Sequence, residues 1–594
     1  MADTAVKDFD TKRAALVDMG SNGIRLSITD ISGPFARLLP TLYTHRVPIS
    51  LYAAQHPSVS TSSQNTTPDA SQPIPQSTIT QILTALNHFR VICEDFFVPS
   101  SSVRVLATEA SRTAPNASDL VRQIQDATGW TVEVLAKEDE GRIGAWGVAW
   151  GFERVKGLVM DLGGGSTQMT WVNAKEGDVR MGEGDGRSLP YGAAALMKRL
   201  GDGEGSGEGM EKLRGEVVRA CKGAFEEIGV PSEALKEAER VGGLDLYLSG
   251  GGFRGWGYVL MSEHPVQPYP IPIINGFTVP HERFRDTEKL QAAVKASQQN
   301  KMDDIFRVSE RRASQVPAVA FLIQCLTEAL PMKIKDVIFG QGGVREGALF
   351  ENLGKETRAL DPLAVAGEGR AVDWEAESDI LRAAIPSSTP VPPTITLSPP
   401  HIPEIFTPEL LGCIVPSKTG FADLDGTKET TASVALRLTT SGAMAKVLPL
   451  RHNQRAAIAL ALCARYGGPE SLPPEDRRFL HRLQALAEPE ISWWCNYIGA
   501  VAALISHLHP VGFKDGQKRR INLRAEWVGG KDKKNADANE GNMRWILRLR
   551  VNFENEMWRE AGAKALGGLE KVGKRKNWIG GREGVGWKIK LEVG

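Results

Sequence analysis

The sequence predicts an α/β fold followed by a helical C-terminal region, and three observations support this prediction. Ahead of residue 385, β-branched or apolar runs alternate with amphipathic stretches, which is the pattern of α/β proteins. The segment Ile385–Pro408 is dense in proline, lacks a helical period and marks a domain boundary. Beyond it, Ala445–Tyr466, Glu475–Ala487 and Trp493–Leu508 have helical spacing, and short alternating runs follow them.

Strands are predicted at eight short runs of the first region and at three near the C-terminus. They are Ala14–Val17, Leu26–Thr29, Val103–Ala107, Thr131–Leu135, Leu158–Leu162, Thr167–Val172, Leu244–Leu248, Val337–Phe339, Ile521–Val528, Arg544–Val551 and Trp587–Val593. Helices are predicted at Thr78–Phe97, Ser118–Ala127 and Gln315–Ala329, between the strands. The polar segment Ala53–Thr78 is predicted to be a solvated loop, because it has almost no large apolar residues.

Composition and charge narrow the functional class. The 594 residues include 71 Lys and Arg and 71 Asp and Glu, and this zero net charge argues against a dedicated nucleic-acid or membrane-surface binder. The six cysteines form no CxxC pair, which excludes a zinc ribbon and indicates reduced thiols. No apolar run reaches the ~18 residues of a membrane span, and the first residues lack a signal-peptide core. A cytoplasmic protein is expected.

Two segments, Ala14–Asp30 and Gly157–Val172, have the same design. In each, an apolar strand ends in an aspartate, Asp18 or Asp161, and a turn rich in glycine leads to a second apolar strand. Glycines let backbone N–H groups approach an anion closely, and a carboxylate at the strand end suits a divalent cation with its waters. One such segment would indicate an ordinary β-hairpin. Two of them favour a duplicated clamp for phosphate.

Other residues of the two turns are the candidate phosphate ligands: Ser21, Asn22, Gly23, Gly163, Gly164, Gly165, Ser166 and Thr167. No Lys-Ser/Thr pair follows the glycines, so neither turn is a P-loop. A third cluster, Gly250, Gly251 and Gly252, lies where a predicted strand meets a helix-like run. It suits a nucleotide or the end of a phosphate chain at a helix N-terminus, with an ordinary glycine loop as the alternative.

Several blocks occur in order along the chain: the Asp18–Asn22 turn, Thr108–Arg112 with Asn116, the Asp161–Thr167 turn and Gly343–Gly347. Together they resemble the exopolyphosphatase/guanosine-pentaphosphate phosphatase (Ppx/GppA) family. The resemblance covers about Ala14 to Leu353 and implies two actin-like (ribonuclease H-like) domains around a phosphate-binding cleft. The expected limits are 1–148 for the first domain, with a polar insert at 53–78, and 149–353 for the second. A connector and linker at 354–408 and a helical domain with a small β element at 409–594 complete the chain.

The same resemblance implies roles for individual residues. Glu140 matches the catalytic carboxylate, although an acidic run of this kind is more often a solvated helix start. Arg112 is expected to bind phosphate, and Arg25 and Arg345 are similar candidates; an ion pair within the protein is the alternative for each. Gln168 stands where bacterial members usually carry Glu, so it can orient a water but cannot act as a base. Asp18 and Asp161 are expected to hold Mg²⁺.

The long C-terminal region looks most like a fungal branch of the family that acts in mitochondria-to-nucleus retrograde signalling. We therefore predict a protein that binds a phosphate chain or a nucleotide and has weak or absent hydrolysis. The alternative is an active Mg²⁺-dependent exopolyphosphatase or nucleoside polyphosphate phosphohydrolase, and a scaffold with a vestigial cleft is a third possibility. The expected partners are polyphosphate, ATP or a guanosine polyphosphate, a regulatory protein and a second copy of the chain, without nucleic acid or membrane.

Overall fold

The structure of the chain is a computed structural model. It describes residues 12–21, 23–56, 72–184, 186–201, 207–299, 305–368, 374–386, 400–415, 428–510, 512, 518–531 and 543–594. Most of the two polar segments predicted as loop and linker, 53–78 and 385–408, lies outside the described residues.

The chain forms two compact units. The first comprises residues 1–264 and 274–360, and the second comprises residues 265–273 and 361–594. The limits expected for four segments of the chain stay a prediction.

Fifteen strands form three sheets among the described residues. They are β1 (Arg13–Gly20), β2 (Gly23–Asp30), β3 (Thr41–Val47), β4 (Val103–Ala107), β5 (Val132–Val134), β6 (Val155–Leu162), β7 (Thr167–Lys175), β8 (Asp178–Met181), β9 (Arg187–Leu189), β10 (Leu244–Ser249), β11 (Phe277–Pro280), β12 (Ile334–Phe339), β13 (Ile521–Lys531), β14 (Met543–Phe553) and β15 (Lys588–Val593). Each strand predicted from the sequence corresponds to one of these.

Helices surround the sheets. In the first unit they are α1 (Leu51–Gln55), α2 (Gln76–Asp95), α3 (Glu109–Thr113), α4 (Ala117–Thr128), α5 (Lys137–Trp150), α6 (Ala193–Gly201), α7 (Gly207–Glu227), α8 (Ser232–Val241), α9 (Gly250–Ser262), α10 (His281–Phe284), α11 (Thr287–Gln299), α12 (Glu310–Ala329), α13 (Val344–Asn352) and α14 (Lys355–Ala359). In the second unit they are α15 (Pro362–Glu368), α16 (Trp374–Ala383), α17 (Pro408–Gly412), α18 (Lys428–Arg437), α19 (His452–Arg465), α20 (Pro474–Ala487), α21 (Pro489–Leu508) and α22 (Glu556–Val572).

The first sheet has the order β3-β2-β1-β4-β5, and its first three strands are an antiparallel meander. Strands β4 and β5 join it in parallel, through crossovers that contain helices. Its core includes Ile82, Leu86 and Phe89 of α2 and Leu120 and Ile124 of α4, all buried. The carboxyl ends of β1 and β4 therefore lie side by side, and each is followed by a segment of the predicted site.

The second sheet has the order β11-β12-β10-β6-β7-β8, with β9 paired to β7. Strands β6 and β7 are antiparallel, while β10 lies parallel to β6 and to β12. Both sheets thus begin with a hairpin and continue with parallel strands. This repetition confirms the predicted α/β class for the first unit.

Helices α5 and α13 cross at glycines. A Cβ atom added at Gly147 would collide with the backbone of Gly343, and one added at Gly347 would collide with the carbonyl of Ile143. The two backbones consequently touch without intervening side chains at this crossing.

The second unit is mainly helical, with a terminal sheet in the order β13-β14-β15. Helix α19 begins at His452 rather than at the predicted Ala445, because the preceding segment contains Pro449 and Arg451 takes the N-cap position in extended conformation. Helix α22, between β14 and β15, was not predicted. Among the described residues, no helix is both long enough and apolar enough to cross a membrane.

Candidate active site

The first hairpin places its turn at the floor of a cleft. Strands β1 and β2 pair from Arg13↔Asp30 to Gly20↔Gly23, so that Asp18 and Arg25 lie opposite one another on the same face. The carbonyl of Ser21 accepts hydrogen bonds from the backbone N–H of Tyr52 (3.0 Å) and from the hydroxyl of Ser50 (3.2 Å). These bonds attach the turn to the N-terminus of α1.

The second hairpin is fixed by the N-terminus of α6. The N–H groups of Gly192, Ala193 and Ala194 donate to the carbonyls of Gly165, Gly163 and Gly164, respectively, at 2.9–3.0 Å. The N–H and C=O groups of a peptide point in opposite directions. Because the carbonyls of the turn point towards α6, the N–H groups of the same peptides point away from α6. This arrangement is the one required of an anion-binding turn.

The third glycine cluster has a structural role at two of its positions. Gly250 adopts a φ of 89°, and a Cβ there would collide with the backbone of Leu162 at the end of β6. A Cβ at Gly252 would lie 2.5 Å from the side chain of Leu162, whereas the space beside Gly251 is open. The cluster therefore lets α9 start directly against the second hairpin, and Gly251 is the position open to a ligand.

One cleft gathers most of the predicted residues. Of the predicted site, it is lined by Asp18, Ser21, Gly23, Glu140, Asp161, Gly163, Gly164, Ser166, Gly250, Gly251 and Gly252. Residues at the N-terminal ends of three helices also line it: Gly250 and Gly251 of α9, Ser309 and Arg311 at α12, and Val344 of α13. Helix N-termini carry unpaired N–H groups and partial positive charge, which favour anions.

Arginines dominate the charge of the cleft. Six line it, namely Arg25, Arg46, Arg254, Arg311, Arg312 and Arg345, against the four carboxylates of Asp18, Glu140, Asp161 and Glu346. Burial and the neighbouring Arg254 lower the pKa of Arg25 to about 10, and the pKa of Arg312 is lowered by the same two causes. A bound polyanion would reduce the repulsion between these closely spaced arginines.

Asp18 and Asp161 fit a magnesium site. Burial raises the pKa of both carboxyl groups, Arg345 opposes the shift at Asp18, and Arg254 opposes it at Asp161. Asp18 also raises the pKa of Asp161, and Asp161 raises the pKa of Glu140. Both aspartates line the cleft and are partly exposed. Mg²⁺ is commonly held by one or two carboxylates, with water and phosphate oxygens as its other ligands. Among the described residues, no group of three or more His, Cys, Asp and Glu side chains could hold a metal by itself.

Glu140 lies in the first turn of α5 and faces the cleft. Burial raises its pKa to about 7, while Arg112 opposes the shift and Glu109 and Asp161 add to it. Its partner Arg112 lies 3.4 Å from Oε2 and also donates to the carbonyl of Leu135. The neighbouring Asp139 is more exposed and pairs with Arg142 (3.2 Å). A carboxylate with a pKa near neutrality is suited to accept a proton from water.

Four predicted residues do not line the cleft. Arg112 pairs with Glu140 (3.4 Å), Thr167 donates to the carbonyl of Tyr191 (2.8 Å), and Gln168 donates to the hydroxyl of Ser166 (2.8 Å). Gly165 packs directly against Glu109. The structure gives each of these residues a contact inside the protein. Their predicted roles in the site stay predictions. Asn22 lies outside the described residues.

The predicted set of site residues omitted most of the arginines. Arg25 and Arg345 had a signal in the sequence, since Arg25 follows the first turn on its second strand and Arg345 follows Gly343 at a helix start. Arg46 and Arg311 reach the cleft from β3 and α12, which carry no motif. Arg46 packs over Gly23, where its Nε atom would lie 3.2 Å from an added Cβ. Only the tertiary structure reveals such residues.

Comparisons with known proteins identify the family of the chain. The profile of the Ppx/GppA phosphatase family matches residues 58–356, and the profile of the RTG2 C-terminal domain matches residues 361–594. Retrograde regulation protein 2 of Saccharomyces cerevisiae is 37% identical over 522 residues, which are 86% of this chain and 83% of that protein. This relative confirms the predicted resemblance to the retrograde-regulation branch.

Solved structures of the family are also similar. The crystal structure of an Aquifex aeolicus Ppx/GppA family member is 22% identical with a TM-score of 0.42, covering 58% of this chain and 99% of that one. An exopolyphosphatase from Cytophaga hutchinsonii is 20% identical with a TM-score of 0.43, at 58% and 99% coverage. The family profile, the extended match to the yeast relative and the repeated hairpin sheets lead to one conclusion: the chain belongs to the Ppx/GppA phosphatase family and carries an RTG2 C-terminal domain.

Proposed function

We propose that the chain binds a phosphate chain or a nucleotide with Mg²⁺ in the cleft of its first unit and uses this binding in mitochondria-to-nucleus retrograde signalling. The observation that carries the proposal is the convergence of two aspartate-ended hairpins and six arginines on one cleft. Polyphosphate, ATP and guanosine polyphosphates share the dense negative charge that such a cleft binds. Retrograde signalling is proposed from the yeast relative, whose name refers to retrograde regulation.

Asp18 and Asp161 would hold the cation, which would neutralise charge on the phosphoryl oxygens when bound. The second hairpin and the helix N-termini would hold phosphate oxygens through backbone N–H groups, and the arginines would hold the rest of the chain. A ligand that contacts both sheets would favour a closed cleft and change the surface offered to a regulatory protein. Such a partner, a homodimer and a cytoplasmic location are parts of the same proposal.

Weak or absent hydrolysis is supported by Gln168. Its side chain is 6% exposed, and its amide nitrogen donates hydrogen bonds to the hydroxyls of Ser166 (2.8 Å) and Ser188 (3.5 Å). A side-chain amide does not accept a proton at neutral pH, so Gln168 cannot act as the base of a hydrolysis reaction. Its amide nitrogen is also already hydrogen-bonded to two serines.

Active hydrolysis is the second candidate, and Glu140 favours it. Its carboxylate lines the cleft near Asp161 and has a pKa of about 7, so at neutral pH a large share is ionised and able to take a proton from an attacking water. In that case the chain is a Mg²⁺-dependent exopolyphosphatase or nucleoside polyphosphate phosphohydrolase.

Phosphate release and ligand binding measured on Glu140→Gln distinguish the two candidates. A binding protein should retain its affinity for ATP or polyphosphate and release no phosphate above background in either form. An enzyme should lose about 10²–10⁴-fold in rate with the variant, as expected for a lost general base. Asp139→Asn is the matched control, since Asp139 is adjacent in sequence but pairs with Arg142. Absence of binding to every phosphate compound tested would refute both candidates.

A further inference from the structure

The terminal sheet β13-β14-β15 of the second unit has one buried face and one exposed face. Successive side chains of a strand point to opposite faces of its sheet. Leu523 and Trp527 of β13 and Leu547, Leu549 and Val551 of β14 lie on the buried face. The opposite face, which we call the exposed face, has only exposed or half-buried side chains among its described residues: Asn522, Arg524, Glu526, Val528, Ile546, Arg548, Arg550, Asn552, Lys588, Lys590 and Glu592.

Positive charge dominates the exposed face, although the chain as a whole has no net charge. Two of its described residues are carboxylates, Glu526 and Glu592. Five are cations: Arg524, Arg548, Arg550, Lys588 and Lys590. A local excess of this kind attracts anions.

The two carboxylates already have partners within the sheet. Oε1 of Glu526 lies 3.0 Å from both Arg548 and Arg550. Glu592 lies 3.1 Å from each of the same two arginines and 3.0 Å from Lys590. The carboxylates are therefore paired with the cations of the two strands β14 and β15, and the rest of the positive charge is not compensated by them.

Two cations of the exposed face have no partner of their own. The side chains of Arg524 and Lys588 are exposed and make no hydrogen bond or ion pair with the residues that the structure describes. Arg524 lies directly opposite Arg550 in the sheet, and Arg548 lies directly opposite Lys590. Like charges in directly opposite positions on one face destabilise a sheet. The exposed face thus carries its cations at a cost in stability.

The geometry of the exposed face fits an extended peptide with acidic side chains. Side chains on one face of a strand recur about every 7 Å, so acidic residues at alternate positions of such a peptide match the spacing of Arg548 and Arg550. Guanidinium groups bind carboxylates through paired hydrogen bonds.

Two other anionic partners fit the exposed face less well. Single-stranded nucleic acid is bound on sheets by aromatic side chains that stack on the bases, and the described residues of this face include no aromatic one. Insertion into a lipid surface requires exposed apolar side chains, and the apolar residues described on this face, Val528 and Ile546, are half-buried.

We propose that the exposed face binds an extended, carboxylate-rich segment of a partner protein, with Arg524 and Lys588 as the cations available to it. This inference assigns a docking surface and a chemistry to the regulatory protein of the proposed function, and it rests on that function only for the existence of such a partner. The surface lies in the second unit and its test needs no ligand in the cleft, so the two proposals can fail separately.

The test is fluorescence anisotropy of a labelled peptide of alternating glutamate and threonine, titrated with the full chain. We expect saturable binding that weakens as salt is added, because exposed ion pairs are screened. The double variant Arg524→Gln with Lys588→Gln should bind about tenfold more weakly. Its melting temperature should stay at or above that of wild type, because the opposition of Arg524 and Arg550 is removed.

Three controls show whether the position of the charge matters. Lys564→Gln with Lys571→Gln removes the same charge from exposed positions of α22 and should leave the peptide affinity unchanged. A peptide of alternating lysine and threonine should not bind. Calorimetric titration of the Arg524 and Lys588 double variant with ATP and Mg²⁺ should match wild type, because the cleft is not altered.

Absence of peptide binding by wild type would overturn the inference and leave Arg524 and Lys588 with the role that charged residues have on edge strands, which is to prevent pairing with another sheet. Equal losses in the two double variants would also overturn it, since net charge alone would then explain binding. Tighter binding of poly(U) RNA or phosphatidylserine vesicles, lost in the Arg524 and Lys588 variant, would assign the surface to that partner instead and overturn the acidic peptide. Each of these results leaves phosphate binding in the cleft standing.

Discussion

The two hairpins have nearly the same sequence design but different surroundings. Beside the first, cations prevail: Arg25 lies opposite Asp18 across the strands, and Arg46 packs over Gly23. Beside the second, carboxylates lie among the cations: Glu109 contacts its turn and Glu140 lies near Asp161, while Arg254 acts on Asp161 and Arg112 pairs with Glu140. The two copies of the motif thus share a sequence design, and the neighbouring elements give them different electrostatic settings.

This difference suggests a division of labour. A hairpin surrounded by arginines suits the bulk of a polyanion, whatever its identity. A hairpin with additional carboxylates beside it suits the phosphate that carries the cation and, in an enzyme, the attacking water. The predictions below test whether the second hairpin has this separate role.

The largest expected effect is that of Asp161→Ala, which should abolish Mg²⁺-dependent binding of ATP or polyphosphate. Asp161 is the penultimate residue of β6 and lines the cleft, so its loss would remove a proposed metal ligand and leave the core intact. Calorimetric titration with and without Mg²⁺ measures the effect. Asp178→Ala is the control, because Asp178 pairs with Lys355 on the surface and should have no influence. Unchanged affinity of Asp161→Ala for the complex would contradict the metal assignment.

Glu140 should make the stability of the protein depend on pH. A carboxyl group whose pKa is raised by folding, here from 4.5 to about 7, contributes stability that is complete below pH 4.5 and is lost as the pH rises through about 7. Over that range the shift corresponds to up to about 3 kcal/mol. Glu140→Gln should therefore melt higher than wild type at pH 8, and by a smaller margin at pH 5.

Arg112 provides the companion variant for that measurement. Because Arg112 lowers the pKa of Glu140, Arg112→Met should raise this pKa further and move the loss of stability to more alkaline pH. The readout is the melting temperature across the pH series. Parallel curves for wild type, Glu140→Gln and Arg112→Met would show that Glu140 titrates normally, and the interpretation of its environment would be wrong.

The smallest effect is expected at the third glycine cluster. Gly250→Ala should destabilise the protein by about 1–3 kcal/mol, since Gly250 has a positive φ and no room for a Cβ. Gly251→Ala should cost less than about 0.5 kcal/mol, because nothing lies within 4 Å of the added atom. Denaturant unfolding would compare the two. Equal losses would refute the different roles assigned to these neighbours.

The two hairpins could be predicted from the sequence, but most of the residues that surround them could not. Strand–aspartate–glycine patterns specify local geometry, so Asp18, Asp161 and the turn glycines could be identified before the fold was known. Arg46 and Arg311 reach the cleft through long-range packing that no local pattern encodes. The role of Gly250 was predicted as ligand contact, and the structure adds a packing requirement that depends on Leu162.

The crossing of α5 and α13 has a consequence for how the cleft can move. With backbone against backbone at Gly147 and Gly347, there are no side chains whose rotamers could absorb sliding of one helix on the other. We therefore expect Glu140 near the start of α5 and Arg345 at the start of α13 to move together. If the cleft closes as proposed, their separation should stay constant, and the hinge should lie in segments outside this helix pair.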